Sequence, residues 1–370
     1  MSRVCVATSN TLKYQQAGHL WVYLNWALSF RARGFEVVWL DMVEPGDDVT
    51  KLDEQFASLQ DHLRPFGLDR SICIVDAKGR PHPRLSHRPM PDVGGDLLFN
   101  ARYNLPDDFP TKFRKSALLD TDPGMVQYAV RHAQMSLATH DAYLTVGNGR
   151  FDDDLVRTDL TWHPVLPAVA LDHWPAMPSS GGAWSTVTHW YMDVWMVDAD
   201  GTPYMNDKRT AFEPYLDLPK RIGQPIVLAA NLNDDPEEQR RLEDLGWTIR
   251  EAHDVGRSLT GYRDFIASSK GEFSCCKPSY RRLETGWISD RTACYLATGR
   301  PCVVEWSGPR ADLGDDERCI LRFQSRGEAV SALTGLAEDP AVSAPEARAL
   351  AERLFDGRLW VDHVLNITGG

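Results

Sequence analysis

No stretch of this sequence approaches the roughly 20 consecutive apolar residues of a membrane-spanning helix. The N-terminal MSRVCVAT runs straight into a strand-like segment, without the apolar core of a signal peptide. The chain has no basic run either: 40 Lys+Arg stand against 52 Asp+Glu, a net charge of −12. Such a chain is a poor general binder of the nucleic-acid backbone, so no nucleic-acid partner is expected and any anion site must be local. Cysteines are few and scattered (Cys5, Cys73, Cys275, Cys276, Cys294, Cys302 and Cys319), odd in number, with no C-x-x-C pair. That spacing argues against a disulfide framework or a structural zinc site and fits buried, reduced thiols in a cytoplasmic protein. Internal repeats and low-complexity tracts are missing.

What is present is the pattern of an α/β protein. The 370 residues suffice for two domains, and 43% hydrophobic with 25% charged residues is the profile of a soluble globular chain. RVCVAT (3–8), EVVWLDMV (36–43), SICIVDA (71–77), DLLFNAR (96–102), SALLD (116–120) and AYLTVG (142–147) read as strands. HLWVYLNWALSFRARG, ending at Gly34, and residues 51–65 read as helices between them. DHWPAMPSSGGAW (172–184) has the Pro, Ser and Gly of a linker. A second series follows: STVTHWYM (185–192), a hairpin excursion (193–205), then strands 225–232, 247–253, 271–276, 301–306 and 319–323. Helices are expected at 236–245, 290–298, 326–337 and 344–355, with a terminal helix in RLWVDHVLNITGG. Alternating strands and helices predict parallel sheets. The expected architecture is two Rossmann-like domains facing a cleft, 1–175 and 176–350, with 351–370 as a C-terminal helix packing back on the first domain. Ligands of such sheets bind beyond the carboxyl ends of the strands, at helix N-termini.

Two segments satisfy that rule. After the first strand, SNTLKYQQAGH leads into a helix at Gly18 and His19. A glycine there permits close backbone approach, and an imidazole, with a reference pKa of about 6.5, suits a general base. The alternative is a histidine that merely caps or packs. The loop has a single glycine rather than G-x-G-x-x-G, which argues against a dinucleotide cofactor. In SALLDTDPGMVQ (116–127), Asp120 and Asp122 follow a strand and precede a Pro-Gly helix start. Asp122 is placed to cap that helix; either carboxylate could orient His19 and stabilise its charged form.

The segment 262–306 concentrates cations in an acidic chain. Lys277, Tyr280, Arg281 and Arg282 follow one strand; Gly286, Trp287, Ser289, Asp290 and Arg291 open a helix; Glu305 ends the next strand. A helix N-terminus with arginine beside it is a credible diphosphate cradle, and Glu305 could accept hydrogen bonds from sugar hydroxyls. The competing readings are a salt bridge from Arg291 to Asp290 or Glu284, and a solvated Glu305.

These motifs, AGHLWVYL (17–24), DTDPG (120–124) and GWISDRTACYLATGRP (286–301), resemble those of GT-B glycosyltransferases, more narrowly a bacterial glycosyltransferase-like set. The resemblance spans most of the chain. It implies a nucleoside-diphosphate sugar as co-substrate, docked on the C-terminal half, and an acceptor on the N-terminal half. His19 would be the base, Asp120 or Asp122 its partner, and Gly18 and Trp21 part of the acceptor-side loop. Ser289 and Arg291 would face the diphosphate and Glu305 the sugar, with Lys277, Tyr280, Arg282, Gly286, Trp287 and Asp290 completing the donor loop. Glu305-Trp-Ser-Gly stands where the set often has Gln-Asp-Thr-Gly, which leaves the donor sugar open. A glutamate pair at the retaining spacing is missing, which favours inversion; no metal or cofactor is implied. The expected acceptor is a small natural-product-like molecule, with tryptophans such as Trp162, Trp174 and Trp184 available for stacking, and the expected state a cytoplasmic monomer or homodimer. Alternatives are a retaining transferase, a sugar-nucleotide epimerase, or an inactive partner subunit.

Overall fold

The computed structural model describes residues 2–86, 95–178, 182–192, 196–197, 200–314, 318–338 and 344–369. Parts of the expected linker (179–181) and hairpin excursion (193–195, 198–199) lie outside the described residues. Aliphatic runs without polar alternation suit strands buried on both faces, and they assemble two parallel sheets.

The first sheet holds β1 (Arg3–Ala7), β2 (Glu36–Met42), β3 (Ile72–Val75), β4 (Leu97–Asn100), β5 (Lys115–Asp120), β6 (Ala142–Thr145) and β7 (Trp162–Pro164). Its order is β3-β2-β1-β4-β5-β6-β7, with Val6 set between Trp39 and Phe99. The edge strand β7 had no sequence signal; WHP has no apolar run, and its proline is tolerated only because the strand is at an edge. The second sheet begins at β8 (Trp184–His189). A two-stranded antiparallel ribbon, β9 (Met196–Val197) and β10 (Pro203–Tyr204), interrupts it before β11 (Ile226–Asn231), β12 (Trp247–Glu251), β13 (Gly271–Ser274), β14 (Cys302–Glu305) and β15 (Ile320–Phe323). Its order is β12-β11-β8-β13-β14-β15. The chain therefore changes direction across each sheet at one point, between β1 and β4 and between β8 and β13. Those are the crevices where such sheets bind ligands.

Helices supply the remaining layers. The helix Ala17–Ala32 is apolar on most of its circumference because neighbours cover it on several sides. It packs on the helix Leu259–Ser268 of the second half and on the terminal helix Gly357–Thr368. Gly357 allows the latter approach: a Cβ there would fall 1.9 Å from Ser29 Oγ. Arg310 ties the halves together. Its buried guanidinium donates to the carbonyls of Val146 (2.7 Å), Gly286 (3.2 Å) and Val165 (3.2 Å). All seven cysteines are reduced and buried. Among the described residues no helix is long and apolar enough to cross a membrane.

Candidate active site

The carboxyl ends of the two sheets face one another across a cleft of about 620 Å³. On the N-terminal side the first helix starts without a side-chain cap; Ala17 N donates instead to Gly256 O of the other half, at 2.9 Å. Gly18 lets the Tyr262 ring approach closely, since a Cβ would meet it at 3.3 Å. His19 then lines the cleft, edge-on to Tyr14 (5.1 Å between centroids) and Tyr23 (5.2 Å). Its Nε2 lies 2.7 Å from Ser9 O. A carbonyl can only accept, so Nε2 carries the proton and Nδ1 is the basic nitrogen of the neutral ring. Burial pulls the imidazole below its ordinary value, against the opposing Ser9 bond and the charges of Asp41 and Asp122. The ring is thus neutral at pH 7, the state a base requires.

Neither expected carboxylate is hydrogen-bonded to His19. Asp120 is fully buried at the end of β5 and accepts from Gln127 Nε2 (2.9 Å), Thr145 Oγ1 (2.8 Å) and Asp122 N (2.9 Å). It is a structural bracket; burial pushes its carboxyl up to about 6 despite those donors. Asp122 is not a helix cap either. The helix Met125–Arg131 begins later, with Gly124 at φ 92° in the capping position and Gly124 N donating to Gln127 Oε1. The Asp122 carboxylate reaches across the cleft instead, accepting from Lys277 Nζ at 2.7 Å and Tyr280 Oη at 2.5 Å. Burial opposes its ionisation, but Lys277 and Tyr280 outweigh it and hold the carboxyl below its usual range.

The C-terminal wall is cationic and aromatic. Lys277 precedes and Tyr280 stands on the short helix Pro278–Arg282, expected from sequence as a loop. Trp287 packs 4.9 Å from Tyr280, and Lys208 lies 5.4 Å over the Trp287 ring. Lys208 was missed from sequence. Its ammonium donates to Cys275 O, and burial, then the neighbouring Arg291, push it down to about 8. Beside it Asn206 is buried with its Nδ2 unpartnered. His189, also missed, ends β8 and touches Tyr14 Oη at 2.5 Å, bridging the halves. For His189 the available signal was positional: it stands at the carboxyl end of the first strand of the second sheet, as the His19 loop follows β1. Ser289 caps the helix Asp290–Ala297, accepting from Arg291 N at 3.2 Å, and lines the cleft. Asp290 lines it too, its carboxyl pushed up to about 6 by burial.

Several expected roles are corrected. Arg291 borders the cleft, but Nε donates to Glu272 (2.7 Å), Nη1 to Val187 O (2.7 Å) and Nη2 to Ser274 Oγ (2.7 Å). It is the counter-ion of a carboxylate buried in the sheet rather than a free phosphate grip, and its partner is neither Asp290 nor Glu284. Glu305 is 7% exposed and does not line the cleft. It is held by Arg281 Nη1 (2.9 Å), Tyr215 Oη (3.1 Å) and Cys276 N (3.2 Å), behind the wall that faces the ligand space. Arg282 points away and pairs with Asp153 at 2.9 Å. Gly286, at φ 66°, is a packing turn where a Cβ would lie 2.7 Å from Pro309 O. Trp21 is core, its indole donating to Leu259 O at 3.0 Å, and Trp162, Trp174 and Trp184 are buried as well.

No family model and no curated protein matches the sequence. Solved structures share the architecture over the whole chain. An alpha-glucosyltransferase in complex with UDP superposes with a TM-score of 0.61 at 10% identity, covering 100% of both chains. Anabaena Alr3699/HepE in complex with UDP and glucose gives 0.57 at 9% identity, covering 99% of this chain and 100% of that one. AviGT4, a glycosyltransferase involved in avilamycin A biosynthesis, gives 0.53 at 12% identity, covering 100% and 97%. The chain is an α/β protein with the GT-B fold, two Rossmann-like halves closed over a central cleft.

Proposed function

We propose that the chain is a nucleotide-sugar-dependent glycosyltransferase that inverts configuration, with His19 as base and a small natural-product-like molecule as acceptor. The observation that carries this reading is the opposition, across one cleft, of a neutral imidazole on one wall and Lys277, Lys208 and a helix N-terminus on the other. The acceptor hydroxyl gives its proton to His19 Nδ1 while its oxygen bonds to the anomeric carbon. The bond from that carbon to the phosphate oxygen breaks, and the nucleoside diphosphate leaves with the electron pair. The two ammonium groups and the helix start meet the charge on the leaving group. Asp290 would oppose that charge when ionised, and its raised value lessens the conflict. His19 passes its proton to solvent.

Arg291, which borders the cleft but is engaged by Glu272, and Glu305, held by Arg281, shape the donor side rather than grip the diphosphate. Among the described residues no three His, Cys, Asp or Glu side chains converge as metal ligands. Lys277 and Lys208 supply the electrostatic stabilisation. The test is His19→Ala with product analysis. Turnover should fall by a factor on the order of 100 or more, as for loss of a general base, while donor binding stays intact and the wild-type product has the anomer opposite to the donor's. A variant that turned over at the normal rate, or a retained anomer, would refute the base assignment.

A further inference from the structure

The two walls of the cleft differ in chemistry, and the N-terminal one has a measurable length. Positions 19, 22, 23 and 26 share one face of the first helix by their i, i+3, i+4, i+7 spacing. His19, Val22, Tyr23 and Trp26 accordingly all line the cleft. Seven residues of helix span about 10 Å at a rise of 1.5 Å each. Trp26 closes the far end, 2% exposed, with its ring 4.5 Å from that of Phe99. Opposite this stripe, the carboxyl ends of β5 and β6 and the helix start beside them present Leu119, Val146 and Met125. The polar side chains on this side are engaged with the protein: Asp122 accepts from Lys277 Nζ and Tyr280 Oη, and Tyr103 Oη pairs with Thr121.

We propose that this groove selects a neutral, ring-bearing alcohol about 10 Å long, a fused-ring phenol for instance, over a glycan or a sugar phosphate. Its rings lie between the first helix and the strand ends, and its hydroxyl meets His19. Apolar walls take up ring faces favourably, whereas a glycan would meet polar side chains that are already paired and an acceptor phosphate would meet the Asp122 carboxylate, which holds Lys277. The proposal rests on the glycosyl-transfer reading and names its acceptor class.

The test uses the full chain and whichever nucleotide sugar stabilises it most, with 2-naphthol, maltose and glucose 6-phosphate as competing acceptors. The phenol should be glycosylated with a kcat/KM at least about 100-fold above either sugar. Val22 is only partly buried, so Val22→Asp can place a charge in the groove without opening the core. It should raise the phenol KM about tenfold or more, and the near-isosteric Val22→Thr by a smaller factor. In both variants the donor-induced thermal shift should remain. Preference for maltose or glucose 6-phosphate, or a phenol KM unmoved in Val22→Asp, would overturn the acceptor class while leaving the transferase reading in place. Failure of every nucleotide sugar to stabilise the protein would overturn that reading and this proposal with it.

Discussion

Replacing Asp122 by Asn perturbs a contact in which the two walls of the cleft hold each other directly by charge. Asp122 Oδ1 accepts from Lys277 Nζ at 2.7 Å and Tyr280 Oη at 2.5 Å, with side-chain exposures of 30% for Asp122 and 15% for Lys277. Two unit charges 4 Å apart attract by about 4 kcal/mol at an effective dielectric constant near 20. Desolvation offsets much of that, and the carboxylate is partly wet, so the net loss should be on the order of 1–2 kcal/mol. For a chain of 370 residues the melting temperature should fall by roughly 1–3 °C. The pH dependence has a definite sign. A depressed carboxyl stabilises the fold above its unfolded value of about 3.9 and loses that contribution as pH falls through the folded value. The difference between wild type and Asp122→Asn should therefore be full at pH 7 and vanish below the ordinary carboxylate range. The variant also frees Lys277 for a diphosphate. Nucleoside diphosphate should bind about 5–30-fold more tightly, the same 1–2 kcal/mol expressed as an equilibrium. Turnover should drop, because the charge that helps His19 hold a proton is gone. Thermal melts from pH 3 to 8 and calorimetric titration with nucleoside diphosphates test both halves. Equal stability at all pH values, or weaker nucleotide binding, would refute the reasoning.

Three further outcomes follow from the same contacts. Lys208→Met should weaken nucleoside-diphosphate binding. Because the wild-type amine is held at about 8, below its unfolded value near 10.4, wild-type stability should rise relative to the variant between those pH values, measurable by chemical denaturation. Asp290→Asn removes a carboxylate whose burial raises it to about 6; the variant should be up to about 3 kcal/mol more stable at pH 7, the gain fading as pH falls from 6 toward 4. Glu305→Gln should lower stability by about 1–2 kcal/mol, since Arg281 is 45% exposed and keeps its bond to Gln324 O while the amide replaces a buried carboxylate acceptor, and donor preference in a panel of nucleotide sugars should be unchanged.

The architecture was legible because it is written in patterns a few residues long. Uninterrupted aliphatic runs marked the buried parallel strands, and their alternation with helices marked the two sheets. β7 and the helix Leu259–Ser268 escaped notice because one has a proline and no apolar run, while the other carries polar residues through its middle. The site was legible only as a neighbourhood. Gly18, His19, Lys277, Tyr280, Trp287, Ser289 and Asp290 do line the cleft. What the sequence could not convey is which charge a side chain spends itself on. Arg291 and Glu272 lie 19 residues apart, and Asp122 and Lys277 lie 155 apart. Only the folded arrangement shows that the first pair is internal and the second spans the cleft. Lys208 was invisible for the opposite reason: it follows a hairpin excursion and stands on a five-residue helix with no motif around it.

The most direct measurement is calorimetric titration of the purified chain with UDP-, dTDP-, GDP- and ADP-linked sugars, repeated on Lys277→Ala. The account predicts saturable binding of at least one of these donors, weakened in the variant because a cation facing the diphosphate is lost. No binding by any donor, or binding that Lys277→Ala leaves untouched, would contradict it.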